Sequence, residues 1–137
     1  MTKIFRTAGD LGDSLYAMAV VKHLGGGIIA FEAANYTRVR LTPEKWKCIV
    51  PLLRAQPYIS DVVEWTGQHV DVNLNDFRAV MIKALRRGMG KDRSLISWML
   101  EAHQISQGVQ SQPWLTVEPN KVARVVFNRT GPGRPAQ

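Results

Sequence analysis

Residues 3–23 read KIFRTAGDLGDSLYAMAVVKH, and no other stretch restricts the fold as tightly. A short apolar run, Ile4 and Phe5, meets a turn that holds Gly9, Asp10, Gly12 and Asp13. That turn opens directly into an apolar helical pattern. Strand, glycine-bearing turn, helix is the order by which α/β proteins build a site at the carboxyl end of a strand. The helix start presents free N–H groups and a partial positive charge at that point. Asp10 and Asp13 fall where the chain turns most tightly, so they are the first candidates for chemistry. Gly9 and Gly12 are read as residues that let the backbone turn sharply and approach a ligand closely. Ser14 completes the polar group at the helix start.

The rest of the chain repeats the same alternation. Residues 13–24 predict a helix, with Ala17, Val20, Val21 and Leu24 on one face at helical spacing. Leu15 and Met18 widen that face, so the helix is expected to be covered on more than one side. Gly25, Gly26 and Gly27 end it, as glycine tolerates the left-handed backbone of a helix cap. Residues 28–32 predict a second strand, and residues 35–41 a polar, basic loop or irregular edge strand. Thr42 and Pro43 start a helix running to about Gln56, with Trp46, Ile49, Val50 and Leu53 inward. Pro51 is expected to kink or divide it. Strands are predicted over 59–65 and 70–74, and helices over 77–87 and, capped by Ser94, to about Ile105. Residues 115–117 lead toward a final strand over 122–127. Together these predict one α/β domain over residues 1–130, Rossmann-like, with a mainly parallel sheet and crossover helices. Residues 131–137, rich in glycine and proline, form a tail with no regular element.

Composition narrows the function classes. No run of apolar residues is long enough to span a membrane. No secretory signal pattern begins the chain, and the single cysteine, Cys48, cannot form an internal disulfide. A cytoplasmic, reducing setting fits, with Cys48 read as a small buried hydrophobe. The net charge of +7 favours anionic partners such as nucleic acid, nucleotide phosphates or acidic glycans, or else a solvated basic face. Lys83, Arg86, Arg87, Lys91 and Arg93 form the densest basic group, straddling the helix break at Gly88. His23, His69 and His103 lack metal-ligand spacing, so no metal is expected. The turn at residues 9–13 is neither a phosphate-binding P-loop nor the dinucleotide fingerprint, which argues against a nicotinamide cofactor, and no other cofactor is expected. The four tryptophans fall on apolar positions and are read as core. Asp13 has two readings from spacing alone: a helix cap contributing about 1 kcal/mol, or a carboxylate that accepts a proton.

Three segments together bear a family likeness. TAGDLGDSLYAMAVVKHLG resembles the N-terminal glycine–aspartate loop and first helix of heptosyltransferase-like glycosyltransferases of the GT-B fold. IVPLLRAQPYISDVVEW is similar to that family's second helix and third strand, and QPWLTVEPNKVARVVFNRT to its connection into a second domain. The resemblance implies an acceptor-side domain, which in a complete enzyme faces a domain that binds the nucleotide-sugar donor. It implies that Asp13 is the general base that takes a proton from the acceptor hydroxyl, with Gly9 and Gly12 shaping the loop. From their place at the helix start, Gly9, Asp10, Gly12 and Ser14 are the substrate-binding candidates.

A donor-binding half has no counterpart in the chain. The expectation is therefore half of a glycosyltransferase, moving a sugar from a nucleotide-sugar donor to a hydroxyl of a glycan-type acceptor once completed by a separate donor domain. A homodimer through residues 122–127 or the tail is a further expectation. The alternative is a non-enzymatic basic module that binds nucleic acid or a protein partner.

Overall fold

A computed structural model of the chain describes residues 1–8, 10–32 and 43–117. Its elements run β1 (Lys3–Thr7), α1 (Leu11–His23), β2 (Gly27–Phe31), α2 (Pro43–Arg54), β3 (Ile59–Glu64), β4 (Val72–Asn73), α3 (Phe77–Arg86) and α4 (Leu95–Ala102). A 3-10 turn over Gln107–Ser111 follows. The strands form one sheet in the order β3-β2-β1-β4, and every neighbouring pair is parallel. This is a Rossmann-like α/β layer, as the alternating pattern predicts. The loop after β1 leaves from the carboxyl edge of the sheet, and strand order reverses between β1 and β4.

Parity along the strands explains the core. Phe5 and Thr7 lie on one face with Ile29 and Phe31, because Phe5 pairs with Ile29 and Thr7 with Phe31. All four are buried. Helix α1 packs on this face and α4 packs against it in turn, lying also against α3. Covered on two sides, α1 buries Ala17, Met18, Ala19, Val20 and Val21, which accounts for its apolar breadth. Helix α2 adds Trp46, Ile49 and Leu53, with the Trp46 ring on Phe31.

The short β4 is fixed by its flanks. Asp71 N–H donates to the Ile4 carbonyl (2.9 Å), and Leu74 N–H to the Arg6 carbonyl (2.9 Å). The Asp71 carboxylate accepts the Ile4 N–H at 2.7 Å, and that bond holds its pKa below the ordinary carboxylate value. On the other sheet face, Arg6 donates to Glu32 Oε2 from Nη2 (2.6 Å) and from Nε (3.2 Å). Its guanidinium also sits 3.8 Å above the Trp65 ring.

Several expectations are corrected. Pro51 does not divide α2, which runs unbroken to Arg54. The proline lies on the exposed side of the helix. Cys48 is exposed, not buried, its thiol turned to the Glu44 carbonyl (3.4 Å). Only Trp46 and Trp98 are core; Trp65 and Trp114 are half-buried at the surface. Helix α4 ends at Ala102; Ile105 is buried beyond it, its N–H donating to the Leu100 carbonyl (2.8 Å), before the 3-10 turn begins. The strand expected over 122–127, the loop over 35–41, the tail and the proposed dimer surface lie outside the described residues. Among the described residues, no helix is long and apolar enough to cross a membrane.

Candidate functional site

The carboxyl edge of β1 brings together two segments that are distant in sequence. The first is the start of α1. Asp10, in extended conformation, is its N-cap, and Asp13 is the third helical residue. Asp13 Oδ2 accepts the Asp10 N–H at 3.4 Å, which is the return arm of a capping box. The cap role thus belongs to Asp10, three residues earlier than the sequence pattern suggested. Gly12 is the second helical residue and has no left-handed backbone, so it does not form the turn. A side chain at Gly12 would meet open space. Ser14 is fully buried: its hydroxyl donates to the Asp10 carbonyl (3.4 Å) and lies 3.5 Å from Thr7 Oγ1. It ties α1 to β1 and does not face a ligand. Gly9 lies outside the described residues.

The second segment is the turn from β4 into α3. Asn75 Oδ1 accepts the Ala8 N–H at 3.3 Å, holding the end of β1. Arg78, one residue into α3, reaches across to Asp13 with Nη2 at 2.6 Å from Oδ2. Both side chains remain partly open to solvent. Among the described residues Asp13 Oδ1 accepts no hydrogen bond. The geometry therefore fixes one carboxylate oxygen with two donors.

Beside Asp13 runs an apolar groove of about 470 Å³, lined by Gly12, Leu15, Tyr16, Pro113, Trp114 and Leu115. Tyr16 follows Asp13 by three residues and Gly12 by four, so helical spacing sets it next to both. Its ring centroid is 6.2 Å from that of Trp114. Trp114 is held from both ends. Its indole N–H donates to the Leu15 carbonyl (3.0 Å), and its own carbonyl accepts the Tyr58 hydroxyl. Burial pushes the Tyr58 hydroxyl up to about 12. Gln56, buried, anchors the chain two residues further on: its side-chain amide donates to the Thr116 carbonyl (2.9 Å) and accepts the Thr116 N–H (2.8 Å).

The histidines stay apart. His69 lies exposed, 3.3 Å from Asp71, and His103 is half-buried, with burial lowering its pKa. Among the described residues, no group of three or more His, Cys, Asp or Glu could hold a metal ion.

Sequence reasoning located Asp10 and Asp13 but missed Asn75, Arg78, Tyr16 and Trp114. A signal existed for the first: Asn75 and Asp76 follow a short apolar strand and precede an apolar helix, repeating the polar turn of residues 9–13. Nothing local marks Arg78 as the partner of Asp13. No protein-family model matches the chain, and no curated protein and no solved structure matches it.

Proposed function

We propose that this chain is the acceptor-side domain of a GT-B-type glycosyltransferase related to the heptosyltransferase-like group, acting in the cytoplasm together with a donor-binding domain. The observation that carries the reading is the position of Asp13. It sits at the carboxyl edge of a parallel sheet, where strand order reverses, with one oxygen pinned by Arg78 and the other without a hydrogen bond among the described residues. The aromatic walls of the adjoining groove suit the apolar face of a pyranose ring.

In the proposed reaction the acceptor hydroxyl oxygen attacks the anomeric carbon of the donor sugar. The bond from that carbon to the diphosphate oxygen breaks, and the nucleoside diphosphate leaves. Asp13 Oδ1 takes the hydroxyl proton as the new glycosidic bond forms. Arg78 acts as a positioning residue: it fixes the carboxylate plane, so that Oδ1 keeps one direction. Asp10 holds the helix start, and through it the height of Asp13 above the sheet.

Acceptor binding can be read on the isolated chain. Amide chemical shifts of the labelled protein are followed while methyl α-glucoside, methyl α-mannoside and lactose are added separately as probes. The reading expects saturable shifts confined to residues 12–16, 75–78 and 114. Shifts confined to the amino edge of the sheet, or none at saturating sugar, overturn it.

A further inference from the structure

The outer face of α3 and the turn after it have no part in the site at the carboxyl edge. Helix α3 turns Phe77 into the core, with Val80, Met81 and Ala84 partly buried beside it. Its opposite side is open, and it is not uniformly polar. Ile82 is 45% exposed, Leu85 39% and Met89 58%, among the most exposed large apolar side chains of the described residues. Helical spacing places Ile82 beside both Leu85 and Arg86, while Lys83 and Arg87 share the adjacent strip. Met89 extends the apolar group just past the helix end, and Lys91 follows it. Between residues 78 and 93 the chain carries six basic residues and one acidic residue, Asp92. Arg78 is engaged with Asp13 and Arg93 with Glu101, but Lys83, Arg86, Arg87 and Lys91 have no carboxylate partner among the described residues.

We infer that this face docks the protein on an anionic lipid surface, with Ile82, Leu85 and Met89 entering the headgroup boundary and the surrounding cations meeting lipid phosphates. The combination decides among partners. A basic amphipathic helix with exposed apolar side chains meets both the interfacial and the electrostatic requirement of a charged bilayer. A nucleic acid would use the cations but would set Ile82 and Leu85 against its charged backbone, and the patch has no aromatic ring on which a base could stack. A second copy would bring Arg86 and Arg87 against the same cations across a two-fold axis. The face lies along a helix that begins at Phe77, so docking leaves the Asp13 site at the sheet edge, away from the Met89 end. The inference is independent of the glycosyltransferase reading.

The test is co-sedimentation of the full chain with phosphatidylcholine vesicles and with mixed phosphatidylglycerol–phosphatidylcholine vesicles, over a range of salt. Binding is expected to the anionic vesicles and to weaken with salt. The double variant R86Q/R87Q should lower partitioning about fivefold for each cation removed. The triple variant I82S/L85S/M89S should lower it about tenfold or more, because apolar insertion is lost. Far-ultraviolet circular dichroism and thermal midpoint confirm that both variants fold; the changes are on exposed positions. Failure to bind anionic vesicles at low salt overturns the inference. So does binding that the apolar variant leaves unchanged, which would be charge attraction without docking. Concentration-dependent self-association abolished by I82S/L85S/M89S, or tight binding of a single-stranded oligonucleotide with no vesicle binding, assigns the face to a second copy or to nucleic acid and overturns it as well.

Discussion

Arg78 Nη2 and Asp13 Oδ2 lie 2.6 Å apart across 65 residues of sequence, joining the helix after β1 to the helix after β4. These helices leave the two strands between which the strand order turns back. The pair therefore spans the one place on the sheet edge where neighbouring connections diverge, and where a ligand can reach the backbone from above. Its partial exposure limits its worth to the fold, since exposed ion pairs contribute about 0–1 kcal/mol.

Replacing Asp13 by Asn should therefore harm function far more than stability. The asparagine oxygen can still accept the Asp10 N–H, and the lost ion pair costs about 1 kcal/mol or less. Loss of a general base lowers rate by about 10²–10⁴-fold. Chemical denaturation of the isolated chain checks the first number. Sugar transfer by this domain assembled with a donor domain checks the second, and near-normal transfer by Asp13→Asn would reduce the residue to a part of the helix start.

Gly12 separates two roles of the glycine-bearing segment. It is helical, and a methyl group there meets nothing. Gly12→Ala should raise stability by up to about 1 kcal/mol through helix propensity. The same methyl group narrows the groove beside Tyr16, so sugar-induced amide shifts should weaken. A stabilised variant with unchanged shifts would show that the groove wall at Gly12 is not used.

How far the sequence reached follows from what each feature depends on. Helix α1 and its neighbours β1 and β2 were legible because period and punctuation are local: Val20 and Val21 fall on the helical face, and Gly25 to Gly27 stop it. The parallel sheet followed from alternation alone. Ser14 was misread because a hydroxyl at a helix start looks alike whether it faces solvent or, as here, Thr7. Asp13 was placed one role away from its position because Leu11 and Gly12 give no strong sign of the helix start. Arg78 and Trp114 were not legible, since their partners, Asp13 and Leu15, are set by strand order and by the return of the chain after α4.

Gly26, like its neighbour Gly27, should be hard to replace. Its φ is +78°, and a Cβ there would overlap the Tyr58 carbonyl oxygen, which also accepts the Gly27 N–H at 2.9 Å. Alanine must therefore displace the connection into β3 as well as adopt a strained backbone, which alone costs about 1 kcal/mol or more. Gly26→Ala is expected to lower the thermal midpoint by several degrees more than Gly25→Ala, whose Cβ meets open space. Equal losses would mean that only the backbone angle matters.

Tyr58 gives the fold a dependence on alkaline pH. Burial raises its pKa from 10.0 to about 12, and its hydroxyl donates to the Trp114 carbonyl, which keeps the neutral form in place. The folded state thus holds the proton more tightly than the unfolded chain. The contribution is fully present below pH 10, where both states are protonated. It is lost between about pH 10 and 12, as the unfolded chain gives up its proton first. Two pKa units correspond to about 2.7 kcal/mol, and the partial exposure of the ring reduces this to about 1 kcal/mol. Stability from urea unfolding should therefore fall across that window. Tyr58→Phe should remove this part of the fall, at a cost near neutral pH of about 1 kcal/mol for the lost hydrogen bond. The same variant frees one end of Trp114, so its fluorescence should shift toward that of a solvent-exposed indole. An alkaline loss of equal size in Tyr58→Phe would move its origin to another group and leave the Tyr58–Trp114 contact without a part in holding the groove.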